Sequence, residues 1–371
     1  KSKNLKSQLM SHFHRLKVAK VVQETKDAVA ISFEVPAELA NNYKYLPGQY
    51  MTLRLTINGE TVNRSYSFCS SPYQSELPTI AVKRVEGGKA SNFIATALTP
   101  GVEVDVMEPM GNFHSPIQAS NAKHYVLFGG GSGVTPVFSI LKSVLAVEPN
   151  SKVTLFYGNR DTQSIIFHEQ LKQLESSNPT RLKVVHILDK PEAGWSGYTG
   201  FITKELATKL LRENTDMNFA NTELFICGPT PMMKAVETAL EELQVAKEKV
   251  HIEYFTAKAE EDRVAADVGS TDASAAPFTG KTKVKLIYDG NEVEFDVLEK
   301  ETILNAALDA GFDPPYSCMV AACCTCRAKL LSGKVEMDDR ESLTDAELSK
   351  GYVLTCQAHP KSHGIVLNFD I

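Results

Sequence analysis

Pro315-Tyr-Ser-Cys-Met-Val-Ala-Ala-Cys-Cys-Thr-Cys-Arg327 holds four of the chain's seven cysteines. Cys318, Cys323 and Cys326 follow C-x4-C-x2-C, and Cys356 comes thirty residues later within Leu354-Thr-Cys-Gln357. Thiolates at that spacing let one loop wrap three sulfurs around a small cluster while a distant segment supplies the fourth, the ligation pattern of a 2Fe–2S centre. A structural zinc site more often shows paired C-x2-C knuckles, and a single such pair with C-x4-C in front fits it poorly. Disulfides are not expected, since Cys69 and Cys227 stand apart and Lys1-Ser-Lys-Asn-Leu5 shows no export pattern. Cys324 is the extra thiol, expected to line the loop without binding iron.

Working outward, 371 residues suffice for two or three cores. Hydrophobic content of 43% with 23% charged residues is that of an ordinary globular protein. A net charge of −6 spread along the chain argues against nucleic acid or an anionic membrane as partner. No apolar run reaches the length of a membrane span. A reducing, cytoplasmic location is the expectation.

Upstream, residues 16–110 read as short strands, among them Ala28 to Val35, Tyr50 to Ile57 before an Asn58-Gly59 turn, and Val102 to Met107. This spacing predicts an antiparallel barrel, followed by a helix from an N-cap at Ser91. From Lys123 strands and helices alternate until Val250 to Tyr254, which predicts a parallel, doubly wound sheet. Residues 258–280 are small, polar and acidic, and read as a flexible linker. Beyond it, a hairpin about Asp289-Gly290 and a helix from Thr302 to Ala310 precede the cysteine loop. That order looks like the β-grasp fold of plant-type ferredoxins.

Three further motifs carry chemistry. Arg64-Ser-Tyr-Ser67 combines a guanidinium suited to a flavin phosphate, a ring able to pack on isoalloxazine, and a hydroxyl near the flavin N5. Gly88-Lys-Ala-Ser91 offers free backbone N–H groups to a diphosphate, although Ser91 serves equally as a plain N-cap. Phe128-Gly-Gly-Gly-Ser-Gly-Val-Thr-Pro136 joins a strand to a helix, as a pyrophosphate site does, but reads G-x-G-x-x-P, unlike simple Rossmann enzymes. Arg160 in Tyr157-Gly-Asn-Arg160 suits a 2′-phosphate, favouring NADPH, or it is a loop charge paired with Asp161. Cys227, in Phe225-Ile-Cys-Gly-Pro-Thr-Pro-Met-Met233, would point towards the nicotinamide in a positioning role, and Phe255 could cover the second flavin face. Core packing is the bland alternative for both.

Arg64-Ser-Tyr-Ser67, Gly131-x-Gly-x-x-Pro136 and Cys227-Gly-Pro229, in this order, resemble the ferredoxin–NADP reductase superfamily, and the cysteine loop is similar to a plant-type ferredoxin domain placed C-terminally. More narrowly, Cys323-Cys-Thr-Cys-Arg-Ala-Lys-Leu-Leu331, Gly333-Lys-Val-Glu-Met337 and Val353-Leu-Thr-Cys-Gln-Ala-His-Pro360 resemble the reductase components of phenylacetyl-CoA epoxidases. The resemblance spans residues 12–371 and implies a multidomain chain. Its parts would be an antiparallel β-barrel flavin domain (12–118), an α/β doubly wound nucleotide domain (119–257), the linker (258–280) and an α+β β-grasp ferredoxin domain (281–371). It implies FAD, NADPH, one 2Fe–2S cluster and a di-iron oxygenase as electron acceptor. Residues and resemblance together mark Arg64, Ser65, Tyr66, Ser67, Val82, Gly88, Lys89, Ser91 and Phe255 for the flavin. Gly131, Gly133, Thr135, Pro136, Arg160, Gly228, Pro229 and Met232 are marked for the nicotinamide nucleotide, Ser67 and Cys227 for catalysis, and Cys318, Cys323, Cys326 and Cys356 for iron. Ala322 stands where such loops usually carry glycine, and its methyl is expected to tighten the loop or shift the potential without abolishing cluster binding. No adenine-stacking aromatic follows Phe113, so FAD over FMN rests on resemblance.

The expected activity is electron transfer from NADPH through a flavin and the cluster to an oxygenase, with the ferredoxin domain swinging on its linker. An FMN- and NADH-linked reductase of a Rieske dioxygenase shares the domain order. A zinc-binding interaction module is the reading outside enzymes.

Overall fold

The computed structural model describes residues 13–255, 264–269 and 280–371. Its first part is built from β1 (Phe13–Thr25), β2 (Ala28–Glu34), β3 (Tyr50–Ile57), β4 (Glu60–Ser67), β5 (Thr79–Lys83), α1 (Lys89–Ala97) and β6 (Glu103–Met107). The strands pair antiparallel in the order β4-β3-β6-β1-β2-β5, and a bridge between Phe68 and Ile80 joins the two ends into a barrel. Asn58 (φ 53°) and Gly59 (φ 83°) form the two-residue β3–β4 turn, the left-handed pair that matches strand twist. Alternate residues such as Leu16, Val18, Leu53, Leu55, Ile80 and Val82 fill the interior.

The second part runs β7 (His124–Gly130), α2 (Val134–Val147), β8 (Lys152–Asn159), α3 (His168–Ser177), β9 (Leu182–Leu188), β10 (Tyr198–Thr199), α4 (Lys204–Asn214), β11 (Thr222–Cys227), α5 (Thr230–Glu242) and β12 (Val250–Glu253). All strands are parallel, in the order β10-β9-β8-β7-β11-β12. The order reverses direction at β7, so a crevice opens beyond the ends of β7 and β11, where such sheets take ligands. Helix α2 is buried from Val134 through Val144 because it is sandwiched. One side packs on the sheet. The other meets the barrel, where Ser139 donates to Ser70 O at 2.6 Å, Ser143 lies 2.8 Å from Ser71 Oγ, and Lys142 pairs with Glu76.

The third part comprises β13 (Ala266–Gly269), β14 (Lys281–Tyr288), β15 (Asn291–Leu298), α6 (Ile303–Asp309), β16 (Arg327–Ser332), β17 (Lys334–Met337), α7 (Asp345–Ser349), β18 (Tyr352–Leu354), β19 (Ala358–Pro360) and β20 (Ile365–Asn368). A mixed sheet of order β15-β14-β20-β16-β18 and a small sheet of order β13-β17-β19 enclose one core with α6. Thr302 caps α6 by accepting from Asn305 N, and Gly311 follows its end with φ 83°.

Two local expectations change. Within the expected linker, Ala266–Gly269 is a strand, pairing antiparallel with Lys334–Met337 because Val268 finds a buried site there. Of the rest of that stretch, 258–263 and 270–279 lie outside the described residues. At α1 the N-cap is Gly88, and Ser91 sits inside the first turn, its Oγ accepting from Val85 N at 3.0 Å.

Candidate functional site

The three parts meet around one cleft of about 420 Å³. The barrel contributes Arg64 to Ser67 and the start of α1, the parallel sheet contributes Ser132, Thr135 and Glu253 to Phe255, and the third part contributes Ser317, Cys318, Ala322 and Cys323. All four residues of Arg64–Ser67 reach the cleft because it wraps the end of β4, where alternation stops separating the faces. Arg64 is exposed at the rim, Nη1 donating to Asn63 O, while Tyr66 forms the wall. Ser65 lies 2.9 Å from Thr52 Oγ1 and donates to Ser317 Oγ at 2.9 Å, so it also stitches the barrel to the third part.

The N-terminus of α1 opens on the same space. Asn92 Nδ2 donates to the carbonyls of Gly88 and Val85, holding the turn while Gly88, Lys89, Ala90 and Ser91 line the cleft. Free N–H groups there suit a diphosphate. Lys89 reaches Glu60 at 2.8 Å on the exposed side. Val82 does not face the cleft: its side chain fills the barrel core, and its neighbours Ala81 and Lys83 line the wall, as strand alternation requires. Phe255 lines the far end, 43% exposed.

A second pocket of about 670 Å³ lies beyond the ends of β7 and β8, lined by Lys83, Gly130, Gly131, Arg160, Pro229 and Met232 among others. Tyr157 OH donates to Gly131 O at 3.1 Å and accepts from Ile166 N, pinning the glycine turn from below. Gly133 is required by packing: a Cβ there would stand 2.1 Å from Cys227 O. Gly228 is similarly close, with Gly130 backbone 3.0 Å from the Cβ it lacks. Thr135 Oγ1 donates to Ser132 O, and Pro136 is buried in the first turn of α2. Arg160 reaches the pocket, but Asp161 holds it at 2.8 Å.

Cys227 lies in register between Gly129 on β7 and Glu253 on β12. Burial pushes its thiol well above the ordinary range, so it stays neutral and is no nucleophile. Glu253 is the functional residue that sequence reasoning missed. Its Oε2 accepts from Ser67 Oγ at 3.1 Å, and loss of water pushes its carboxyl from an ordinary 4.5 up to about 8. A carboxylic acid that stays protonated near neutrality, hydrogen-bonded to a cleft hydroxyl, can hold and exchange a proton there. The folded protein thus keeps a proton that the unfolded chain releases, so this group's stabilisation is complete below pH 4.5 and is lost as pH rises to about 8. Glu253 is only half-buried, which moderates the size of the effect. Glu253→Gln is expected to gain thermal stability relative to the parent between pH 5 and pH 8.5; parallel melting profiles of the two proteins would refute the assignment.

The four expected iron ligands converge as two pairs. Cys318 meets Cys323, and Cys326 meets Cys356. Among the described residues no three His, Cys, Asp or Glu side chains are arranged around a single ion. Two thiol pairs suit two irons better than one zinc. Backbone N–H groups aim at the sulfurs, Val320 N at Cys318 and Ala321 N at Cys356, which suits thiolates that accept and never donate. The donor set therefore fits a 2Fe–2S centre. All seven cysteines are free of disulfides. In the loop the left-handed positions are Met319 (φ 61°) and Ala321 (φ 56°), so the glycine-like demand falls on Ala321 and not on Ala322. Ala322 instead turns towards the cleft.

Docking of the cluster loop on the barrel is polar and specific. Arg54 pairs with Asp313 at 2.9 Å, Asn63 donates to Tyr316 O, Asn112 donates to Glu347, and the Tyr50 hydroxyl enters the loop beside Cys324 and Thr325. No helix among the described residues is long and apolar enough to cross a membrane.

Comparison with known proteins agrees part by part. Residues 15–115 match the oxidoreductase FAD-binding domain family, 127–238 the oxidoreductase NAD-binding domain family, and 286–361 the 2Fe–2S iron–sulfur cluster binding domain family. The chain is 37% identical over 362 residues to one of the subunits of 1,2-phenylacetyl-CoA epoxidase from Escherichia coli (strain K12), covering 97% of this chain and 99% of that protein. It is 35% identical to the ferredoxin reductase component of 3-ketosteroid-9-alpha-monooxygenase from Rhodococcus rhodochrous, covering 95% and 96%. In fold it is similar to phthalate dioxygenase reductase, with a TM-score of 0.57 at 23% identity over 96% of this chain and 98% of that one.

Proposed function

Because the chain belongs to the ferredoxin–NADP reductase superfamily, among the oxygenase reductases that join FAD-binding, NAD-binding and 2Fe–2S domains, we propose that it carries electrons from NADPH to a di-iron oxygenase of the phenylacetyl-CoA epoxidase type. The observation that carries this reading is the shared cleft: flavin motif, nucleotide-sheet edge and Cys318–Cys323 loop line a single space. Bound there, a flavin supplies the exchange between a two-electron nucleotide and the single electrons of a 2Fe–2S centre.

The protein's own contribution is placement. Arg64 and the α1 N-terminus bind phosphate, Tyr66 and Phe255 confine the ring system, and Ser67 with Glu253 holds a proton at the cleft wall. Gly131 and Gly133 bring the nucleotide-binding turn close to the sheet, and Met232 and Pro229 shape the adjoining pocket. Cys318, Cys323, Cys326 and Cys356 would hold the two irons, Cys318 and Cys323 on the flavin side. Arg160 supports the 2′-phosphate and hence NADPH. The Asp161 partner of Arg160 favours a second reading, an NADH-linked reductase for an oxygenase such as that of the Rhodococcus relative.

Anaerobic addition of NADPH to the purified protein is expected to bleach flavin and iron–sulfur bands together, faster than NADH does. Reoxidation by the phenylacetyl-CoA epoxidase oxygenase component should follow. A colourless zinc protein would overturn the whole reading; faster bleaching by NADH, or no reoxidation by that oxygenase, would overturn the donor or the partner alone.

A further inference from the structure

We propose that Tyr50 is a positioning residue for the iron–sulfur centre, turning the Thr325 hydroxyl onto the Cys323 sulfur from across the domain boundary; this rests on the 2Fe–2S reading above. Tyr50 opens β3, and its backbone exchanges two hydrogen bonds with Met110, each 2.9 Å. Gly111 sits against its ring so closely that a Cβ there would lie 3.0 Å from Tyr50 Cδ1. The barrel thus clamps the ring and presents the hydroxyl to the cysteine loop.

There the oxygen lies 3.1 Å from Thr325 Oγ1 and 3.4 Å from Cys324 Sγ, and Thr325 Oγ1 is 3.3 Å from Cys323 Sγ. Directions follow from chemistry. A ligating thiolate only accepts, so Thr325 donates to Cys323. The Thr325 oxygen then takes a proton donor, and the phenol is a stronger donor than an alcohol. Tyr50 in turn accepts from the Cys324 thiol, the cysteine left over from the ligand set. The chain runs Cys324 to Tyr50 to Thr325 to Cys323, with every member buried. In a dry setting each bond strengthens the next. Hydrogen bonds to cluster sulfurs stabilise the more negative, reduced state and so raise the reduction potential. Docking on the barrel therefore sets the cluster's potential, and does more than set its distance from the flavin.

The test is an EPR-monitored redox titration of the full-length protein and four variants. Tyr50→Phe and Thr325→Val should each lower the midpoint potential, Thr325→Ser should keep the parental value, and Tyr50→Phe should add nothing in the Thr325→Val background. An unchanged midpoint in either single variant, or an equal shift from Tyr50→Phe with and without the threonine hydroxyl, would overturn the proposal. A parent protein with no 2Fe–2S signal would instead overturn the cluster reading beneath it.

Discussion

Cys356→Ala is expected to abolish electron delivery to the oxygenase while reduction of the flavin by the nucleotide continues. Cys356 is buried on the loop after β18 and is paired with Cys326, so its loss removes one of the two thiolates that would hold one iron. Losing an outer-shell partner alone costs about 10–100-fold in metal affinity or activity. Losing a ligand should exceed that, and delivery should fall by more than about 100-fold. The readout is stopped-flow absorbance, with flavin bands bleaching at the parental rate and iron–sulfur bands absent. Delivery that persists without Cys356 would show that the cluster is held elsewhere.

Gly133→Ala should be nearly as damaging, for a different reason. The added Cβ would fall 2.1 Å from Cys227 O and 2.4 Å from Cys227 C, both backbone atoms that a side-chain rotation cannot move away. Either the α2 N-terminus or the end of β11 must shift, and both frame the nucleotide pocket. Overpacking of this kind costs on the order of 1–3 kcal/mol of stability. The larger effect is on nucleotide use, since a misplacement near 1 Å can lower a rate by about 100-fold. Steady-state kinetics with a small one-electron acceptor would measure it, and a parental KM and kcat would contradict the packing argument.

Much of this architecture was legible in the chain because its signals are local. The cysteine spacing, the Asn58-Gly59 turn and the alternation from Lys123 onward each depend on residues close together in sequence. Glu253 was not legible: it reads as the polar alternate of a short strand, and its role comes from Ser67, 186 residues away. Tyr50 reads as an ordinary barrel aromatic, yet its hydroxyl partner lies 275 residues on. Val82 went astray through the same alternation that placed its neighbours on the cleft. In the cysteine loop the left-handed backbone falls at Met319 and Ala321, not at Ala322, and spacing alone does not reveal it. Docking between domains has no period, so pattern reading does not reach it.

The strand at Ala266–Gly269 shortens the leash on the ferredoxin domain. A free tether over 258–280 would reach about 75 Å at full stretch. With Val264 N bonded to Asp339 and the next residues woven beside β17, only residues 256–263 separate the nucleotide sheet from its passenger. That span is about 30 Å at most. A ferredoxin domain lifted from the barrel would remain at millimolar effective concentration for its own flavin. Recapture would then outpace exchange with a second molecule, and each reductase would work as a self-contained relay whose acceptor must come to it.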